Sequence, residues 1–110
     1  MFIESTKIKK KVDIHDFKAL IKKYQSDQII CTPHTFFRLG QAQREIYTCE
    51  ELRKILLLQT PFLAGLQNNR NYAVYYKYQK RNLKTILKIG NRKVNIITFY
   101  FIEEWQIPKI

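Results

Sequence analysis

The sequence predicts a single α+β domain over residues 1–110, with N-terminal helices packed on one face of a four-stranded antiparallel sheet. Two contrasting halves of the chain carry this prediction. Apolar residues recur at helical spacing in the first half, whereas β-branched and aromatic residues dominate the second. The 110 residues, 45% of them hydrophobic, suffice for one domain with a small core and exclude wholesale disorder.

The N-terminal segment predicts a basic arm followed by an amphipathic helix. Residues 1–12 end in a run of lysines with little periodicity, so we expect a flexible arm or an edge segment. Asp13 is a suitable N-cap, and apolar residues then recur at helical spacing opposite lysines. A first helix is therefore expected over about 14–24.

Two further helix starts follow. Thr32 before Pro33 combines a capping hydroxyl with a proline at the first helical position, and the resulting helix should weaken near Gly40. Thr48 and Glu51 fit a capping box, in which each side chain satisfies an orphan amide of the other residue. A third helix is therefore expected from this point.

The second half predicts four strands joined by hairpins. Segments rich in Asn, Gly, Lys and Arg separate the candidate strands, and gaps of about four residues favour antiparallel pairing. The expected strands cover about 62–66, 72–78, 83–89 and 94–102.

The charge balance favours a polyanionic partner. Lys and Arg number 20 against 9 Asp and Glu, a formal charge of +11. Residues 70–93 contain no Asp or Glu, so their Lys and Arg side chains repel one another unless a polyanion such as nucleic acid is bound. The alternative is a solvated sheet face whose positive charges discourage aggregation. The predicted nucleic-acid-binding residues are Arg70, Lys77, Lys80, Arg81, Lys84, Arg92 and Lys93. The interleaved tyrosines could stack on bases, although tyrosines on a strand are usually packing residues.

The sequence lacks the motifs that identify several functional classes. No apolar run is long enough to span a bilayer, no secretory signal is visible, and no metal-ligand spacing or Gly-rich phosphate loop occurs. Cys31 and Cys49 cannot make a disulfide framework and are expected as small buried apolar residues. We therefore expect a cytoplasmic protein with no cofactor, no metal and no membrane partner.

Two groups of residues are candidates for chemistry. His34 and Arg38 share a face of the predicted second helix, where the helix dipole favours a neutral imidazole suited to proton transfer. A half-buried histidine that caps its own helix is the alternative, which spacing alone favours. Thr98 and Tyr100 share the strand face opposite Ile97, Phe99 and Phe101. If the register places Lys84 and Lys88 beside them, the surface could bind a phosphodiester. Trp105 is expected to plug the core or a sheet edge.

The segment 30–39, I-C-T-P-H-T-F-F-R-L, resembles the I-T-x-H-A-x-x-R-M/L opening of a family of small uncharacterised domains. That family is similar to the RelE/ParE-like toxins of the barnase–colicin–RelE ribonuclease fold. The resemblance spans about residues 14–102 and includes the closing segment 96–100. Thr35 stands where alanine is typical, and Arg44 follows Arg38 by six residues rather than four, which puts the role of Arg44 in doubt.

The resemblance implies helices before a four-stranded antiparallel sheet and metal-independent RNA cleavage. It implies a site formed by His34, Arg38, Thr98 and Tyr100, to which the sheet pattern adds Lys88. The predicted protein is an endoribonuclease toxin of a toxin–antitoxin pair that cleaves through the ribose 2′-hydroxyl. Its expected partners are RNA and an acidic antitoxin protein, with the ribosome a further candidate. The alternatives are a non-catalytic nucleic-acid-binding or regulatory module and a structural protein with an acidic protein partner.

Overall fold

The computed structural model describes residues 6–37, 39–40 and 47–110. Within this part of the chain, two α-helices accompany one sheet of six strands. The helices are α1 (Ile14–Ile21) and α2 (Cys49–Leu58). The strands are β1 (Ile8–Lys11), β2 (Ile29–Cys31), β3 (Leu63–Gln67), β4 (Tyr72–Tyr78), β5 (Arg81–Ile89) and β6 (Val94–Ile102). Their spatial order is β1-β3-β4-β5-β6-β2.

The predicted four-stranded antiparallel sheet is wrong, because two strands from the N-terminal third extend the sheet at both edges. The segment expected as a basic arm or an edge segment contains the edge strand β1, which pairs antiparallel with β3. At the other edge β2 pairs parallel with β6, so the sheet is mixed. Nor do helices simply precede the sheet, since β1 comes before α1 and β2 lies between the two helices. Neither edge strand has the apolar alternation that marks a strand, because β1 is mostly lysine and β2 has three residues.

Both helices begin at side-chain caps. The Asp13 carboxylate accepts a hydrogen bond from the Asp16 amide at 3.1 Å, and the Thr48 hydroxyl accepts one from the Glu51 amide at 3.2 Å. The helices bury their apolar stripes against one face of the sheet. The buried helix residues are Phe17, Ile21, Leu52, Ile55 and Leu56.

The helix predicted from Pro33 is a single 3₁₀ turn, Pro33–Phe36. The buried Thr35 hydroxyl donates a hydrogen bond to the Ile96 carbonyl of β6 at 2.6 Å and accepts one from the Thr32 amide at 2.9 Å. These bonds hold the turn on the end of β6.

The helices cover one face of the sheet, and the other face is not covered by them. The helix-covered face contains the main core, with the buried sheet residues Ala64, Val74, Tyr76, Leu83, Leu87, Val94, Ile96 and Phe99. We call the other side the open face. Its smaller buried cluster consists of Leu63, Ala73, Tyr75 and Ile86, against which Ile8 and Ile107 pack. Gly65 makes room for Ile8, because a Cβ there would lie 2.7 Å from the Ile8 side chain.

A β-bulge shapes the open face. Ile86 pairs with Thr98 but Leu87 pairs with Ile96, so Ile97 is the extra residue of β6. Ile97 therefore packs against the open-face cluster. Strict alternation predicts that it shares the helix-covered side with Phe99 and Phe101, and for Ile97 that prediction is wrong.

The expectation of two separate thiols is also wrong. Cys31 at the end of β2 and Cys49 at the start of α2 form a disulfide, with their Cα atoms 6.0 Å apart. The bond ties the parallel edge of the sheet to the helix layer. No helix in the described ranges is long and apolar enough to cross a membrane.

Candidate functional site

The open face contains a hollow of about 310 Å³, which we call the open-face hollow. It lies over the end of β3, the β3–β4 turn, and the middle of β5 and β6. Its lining residues are Thr6, Gln67, Asn69, Asn71, Lys84, Ile86, Ile97, Thr98 and Tyr100. The lining therefore combines amides, hydroxyls and one ammonium group with apolar walls, a mixture typical of a site with few polar contacts on an apolar base.

Lys84 lies between two tyrosines on neighbouring strands. The register places it directly opposite Tyr75 on β4 and Tyr100 on β6. Its Nζ is 5.7 Å from the Tyr75 ring centre and 5.5 Å from that of Tyr100, within range for cation–π attraction. Lys84 is half-buried and forms no ion pair with a carboxylate of the described residues.

The Tyr75 phenol supports the Lys84 ammonium group rather than neutralising it. Tyr75 is 1% exposed, and burial raises its pKa despite the opposing charge and hydrogen bond of Lys84. The Tyr75 phenol therefore stays protonated at neutral pH.

Two polar atoms in the lining have no hydrogen-bond partner among the residues that the structure describes. Gln67 is 1% exposed, and its Oε1 is buried without a donor. The Thr98 Oγ1 is likewise buried and unpaired. Buried polar atoms are nearly always hydrogen-bonded, because leaving one unpaired costs about 1–3 kcal/mol. Both side chains line the open-face hollow, so a ligand there could provide the missing partners.

The predicted site residues come together only in part. Lys84, Thr98 and Tyr100 line the same hollow. Lys88, opposite Asn95, also belongs to the open face by alternation, but it is exposed and does not line the hollow. Arg38 and Arg44 lie outside the described residues.

His34 lies apart from this group. Its exposed ring stacks on the Phe37 ring, with centres 4.7 Å apart and planes 14° from parallel. The next residue but one, Phe36, packs edge-on against Phe99 of the helix-covered face at 5.8 Å. His34 lines neither the open-face hollow nor the adjoining one of about 300 Å³, which Lys7, Tyr75, Lys84 and Pro108 help to form.

The other predicted basic residues divide between the two ends of the sheet. Arg70 lies in the β3–β4 turn, and Arg92 and Lys93 lie in the β5–β6 turn, at the end where Gln67 contributes to the hollow. Lys80 lies in the β4–β5 turn at the opposite end, beside Arg81.

At the end of the sheet with the β4–β5 turn, two of the basic side chains already have partners within the chain. The Arg81 guanidinium lies 3.7 Å from the Phe101 ring centre, and the Lys77 ammonium pairs with Glu104 at 3.3 Å. The acid-free run 70–93 thus acquires an acidic partner from the segment after β6. Trp105 in that segment is 81% exposed, so the expectation that it plugs the core or an edge is wrong.

Sequence reasoning missed the amide side of the hollow. Gln67, Asn69 and Asn71 are not among the predicted site residues, and Asn69 and Asn71 belong to a segment of turn-forming residues. The available signal was the density of amide side chains immediately after a strand, next to an arginine. Whether those amides meet Thr98 depends on the pairing across β4 and β5, which a single strand's pattern does not contain.

Comparisons with known proteins leave the family open. No family model matches this chain, and no curated protein and no solved structure matches it. The resemblance to RelE/ParE-like toxins therefore stays a prediction.

Proposed function

We propose that this chain binds single-stranded nucleic acid, with RNA as the expected ligand, on the open face of its sheet. The observation that carries the proposal is Lys84, a half-buried ammonium group between two phenols without a carboxylate partner among the described residues. A positive charge without a counter-ion attracts anions, and the phosphate of a bound strand would supply that counter-ion.

The charge distribution supports a backbone ligand. The chain has a formal charge of +11, and exposed Arg70, Arg92 and Lys93 lie in turns at the end of the sheet where Gln67 contributes to the hollow. Phosphates would contact these cations along the strand, while Tyr100 provides a ring beside the hollow. A single strand suits this arrangement better than a duplex, because its bases are free to leave the stack and enter a hollow.

Binding is tested with a fluorescently labelled RNA oligonucleotide of mixed sequence, in the presence of a chelator and over a range of salt concentrations. The expected result is saturable binding whose association constant falls linearly with salt on logarithmic axes. A duplex of the same length should bind more weakly. Absence of salt-sensitive binding to any nucleic acid, together with retained binding to an acidic protein, would favour the structural alternative.

A metal-independent endoribonuclease toxin is the second candidate function. The observation that favours it is that Lys84, Thr98 and Tyr100 line one hollow, where an ammonium group could stabilise a charged phosphate and a phenol could carry a proton. The ribose 2′-hydroxyl would be the internal nucleophile. His34 would have to reach the bound strand from its exposed position beside Phe37.

The same RNA in chelator distinguishes the two functions. The enzyme requires cleavage by the native protein that His34→Ala abolishes without changing RNA affinity. Binding without cleavage by the native protein leaves the non-catalytic module. The acidic antitoxin and the ribosome are proposed partners of the toxin only. An acidic antitoxin segment would compete with RNA for the open face.

A cytoplasmic location is a separate proposal, to be weighed against the Cys31–Cys49 disulfide. Disulfides persist in oxidising compartments and are rare in the reducing cytosol. Trapping the thiols of the protein as taken from cells decides between the two: free thiols support the cytoplasm, and a disulfide supports an oxidising compartment.

A further inference from the structure

We propose that the segment after β6, residues 103–110, is an autoinhibitory strap that occupies part of the open face and is displaced when a nucleic-acid strand binds. We call this segment the strap. The inference rests on the proposed nucleic-acid binding and identifies how the chain itself regulates access to that site.

The strap crosses the open face from β6 towards β1. The Glu104 carboxylate accepts a hydrogen bond from the Asn82 side chain of β5 at 2.9 Å. Further along, Ile107 packs on the open-face cluster, whose residues lie on β3, β4 and β5. Ile110 lines the adjoining hollow of about 300 Å³ together with Ile8 of β1. Eight residues with one 3₁₀ turn reach about 22 Å, enough for the four strand spacings of about 19 Å.

The strap covers groups that a bound strand would use. Pro108 lines the adjoining hollow beside Tyr75 and Lys84. Tyr75 belongs to the cluster on which Ile107 packs, and it is only 1% exposed. Displacement of the strap would uncover the Tyr75 ring from that side. Rings on both sides of Lys84, those of Tyr75 and Tyr100, would then be available for stacking by bases.

The Glu104 carboxylate of the strap takes the place of a phosphate. Between Glu51 and Glu103 the sequence contains no Asp or Glu, so every charged side chain of residues 52–102 is basic. One of these cations is Lys77, whose ammonium group lies 3.3 Å from the Glu104 carboxylate. A phosphate of a bound strand would contact the same ammonium group, so carboxylate and phosphate compete for it.

The attachment of the strap is weak enough to be broken by a ligand. Among the described residues, its backbone forms hydrogen bonds only within residues 103–107 and none with a strand. The pair of Lys77 with Glu104 is exposed, and exposed ion pairs contribute little to stability. Ile107 is only partly buried. Segments with few buried contacts and no ladder hydrogen bonds open most readily in a native protein.

The test uses two variants that loosen the strap and one matched control. Glu104→Gln removes the carboxylate that pairs with Lys77, and Ile107→Ala removes the apolar contact. Glu103→Gln is the control, because it makes the same charge change in the strap at a carboxylate without an ion pair among the described residues. Each protein is titrated with RNA. The fluorescence anisotropy decay of Trp105, the chain's single tryptophan and 81% exposed, reports the local motion of the strap.

We expect Glu104→Gln and Ile107→Ala to increase the local motion of Trp105 and to bind RNA more tightly than Glu103→Gln. The double variant Glu104→Gln, Ile107→Ala should gain about tenfold over Glu103→Gln, as expected when the open form is about a tenth of the native population. In the native protein, saturating RNA should increase the motion of Trp105 to the same extent, because the strap leaves the face.

Two outcomes would overturn the strap proposal alone. One is RNA binding by the native protein that leaves the local motion of Trp105 unchanged at saturation. The other is an RNA affinity of the Glu104→Gln protein no higher than that of Glu103→Gln, which would make the strap a bystander or a part of the binding surface. Thermal unfolding shows whether Ile107→Ala is folded, and Glu104→Gln decides the outcome where it is not. Absence of RNA binding by the native protein and by every variant would overturn the proposed nucleic-acid binding itself.

Discussion

Lys84 on β5 lies directly opposite Tyr100 on β6, and its ammonium group is 5.5 Å from the centre of the Tyr100 ring. On β4, Tyr75 lies opposite the same lysine, so three neighbouring strands bring these side chains together on one face. Lys77, two residues along β4, differs in that its ammonium group has Glu104 at 3.3 Å. Of these two open-face lysines, Lys84 is the one that a phosphate would best neutralise.

Replacement of Lys84 should weaken RNA binding more than loss of an average surface lysine. We expect Lys84→Met to lower RNA affinity by about tenfold and to reduce the logarithmic salt slope by about 1, as for one lost phosphate contact. Lys54→Met, at an exposed position of α2, is the matched control and should change neither. Anisotropy titrations at several salt concentrations measure both quantities. Equal effects of the two variants would contradict a specific role for Lys84.

Removal of the Tyr76 hydroxyl should stabilise the fold. That hydroxyl is buried in the main core with no partner among the described residues, and burial raises its pKa far above the ordinary range. Tyr76→Phe is expected to increase the free energy of unfolding by about 1 kcal/mol, because an unpaired polar atom leaves the core. Tyr24→Phe removes a hydroxyl that donates to the Gly90 carbonyl and should cost about 1 kcal/mol instead. Urea unfolding checks both, and a destabilised Tyr76→Phe would contradict the assignment.

Reduction of the Cys31–Cys49 disulfide should destabilise the protein. The two residues are 18 apart in sequence, and closing a loop of this length in the unfolded chain contributes about 3 kcal/mol. Urea unfolding with and without a reductant measures the loss. The double variant Cys31→Ser, Cys49→Ser should have the same free energy of unfolding as the reduced native protein, and the reductant should not change it. Two titratable thiols in unfolded, unreduced protein would show that the bond is absent.

The Glu104 carboxylate should make stability depend on pH. Hydrogen bonds from Asn82 at 2.9 Å and from Lys77 at 3.3 Å, together with the Lys77 charge, lower its pKa below the ordinary 4.5. Because the folded-state pKa is the lower one, the contribution is fully present above pH 4.5 and is lost as pH falls through the folded-state value.

The comparison of native protein with Glu104→Gln measures this contribution. The difference in unfolding free energy should stay constant above pH 4.5 and shrink in more acidic solution. Introducing Lys77→Met into both proteins should reduce the pH dependence of the difference. An unchanged pH dependence would exclude the Lys77 contact as a cause.

The central strands were predictable because their residues alternate, whereas the extent of the sheet was not. Alternation predicts that Thr98 and Tyr100 share a face, and the structure places both on the open face. Ile97 departs from the pattern because a bulge depends on the pairing of two strands rather than on one. The lysine-rich β1 allowed an edge segment as one of two alternatives, but its pairing with β3 depends on residues far along the chain.

The candidate site was predictable only where it depends on one strand. The His34 hypothesis relied on helical spacing, but a single 3₁₀ turn anchored by Thr35 replaces that helix. The sequence could not predict that the buried Gln67 Oε1 has no donor among the described residues, because this depends on the three-dimensional structure. Pairing of Cys31 with Cys49 similarly requires the position of α2 relative to β2.

The pairing of the two edge strands has a consequence for the order of folding. Strands β3 to β6 follow one another through short turns, so their ladders form with little loop closure. In contrast, Ile8 pairs with Gln67 and Ile29 pairs with Val94, across most of the chain. We therefore expect β1 and β2 to join the sheet after the hairpins of β3 to β6 have formed. Such distant contacts slow the search for the native state, so this protein should fold more slowly than a four-strand meander of its own length.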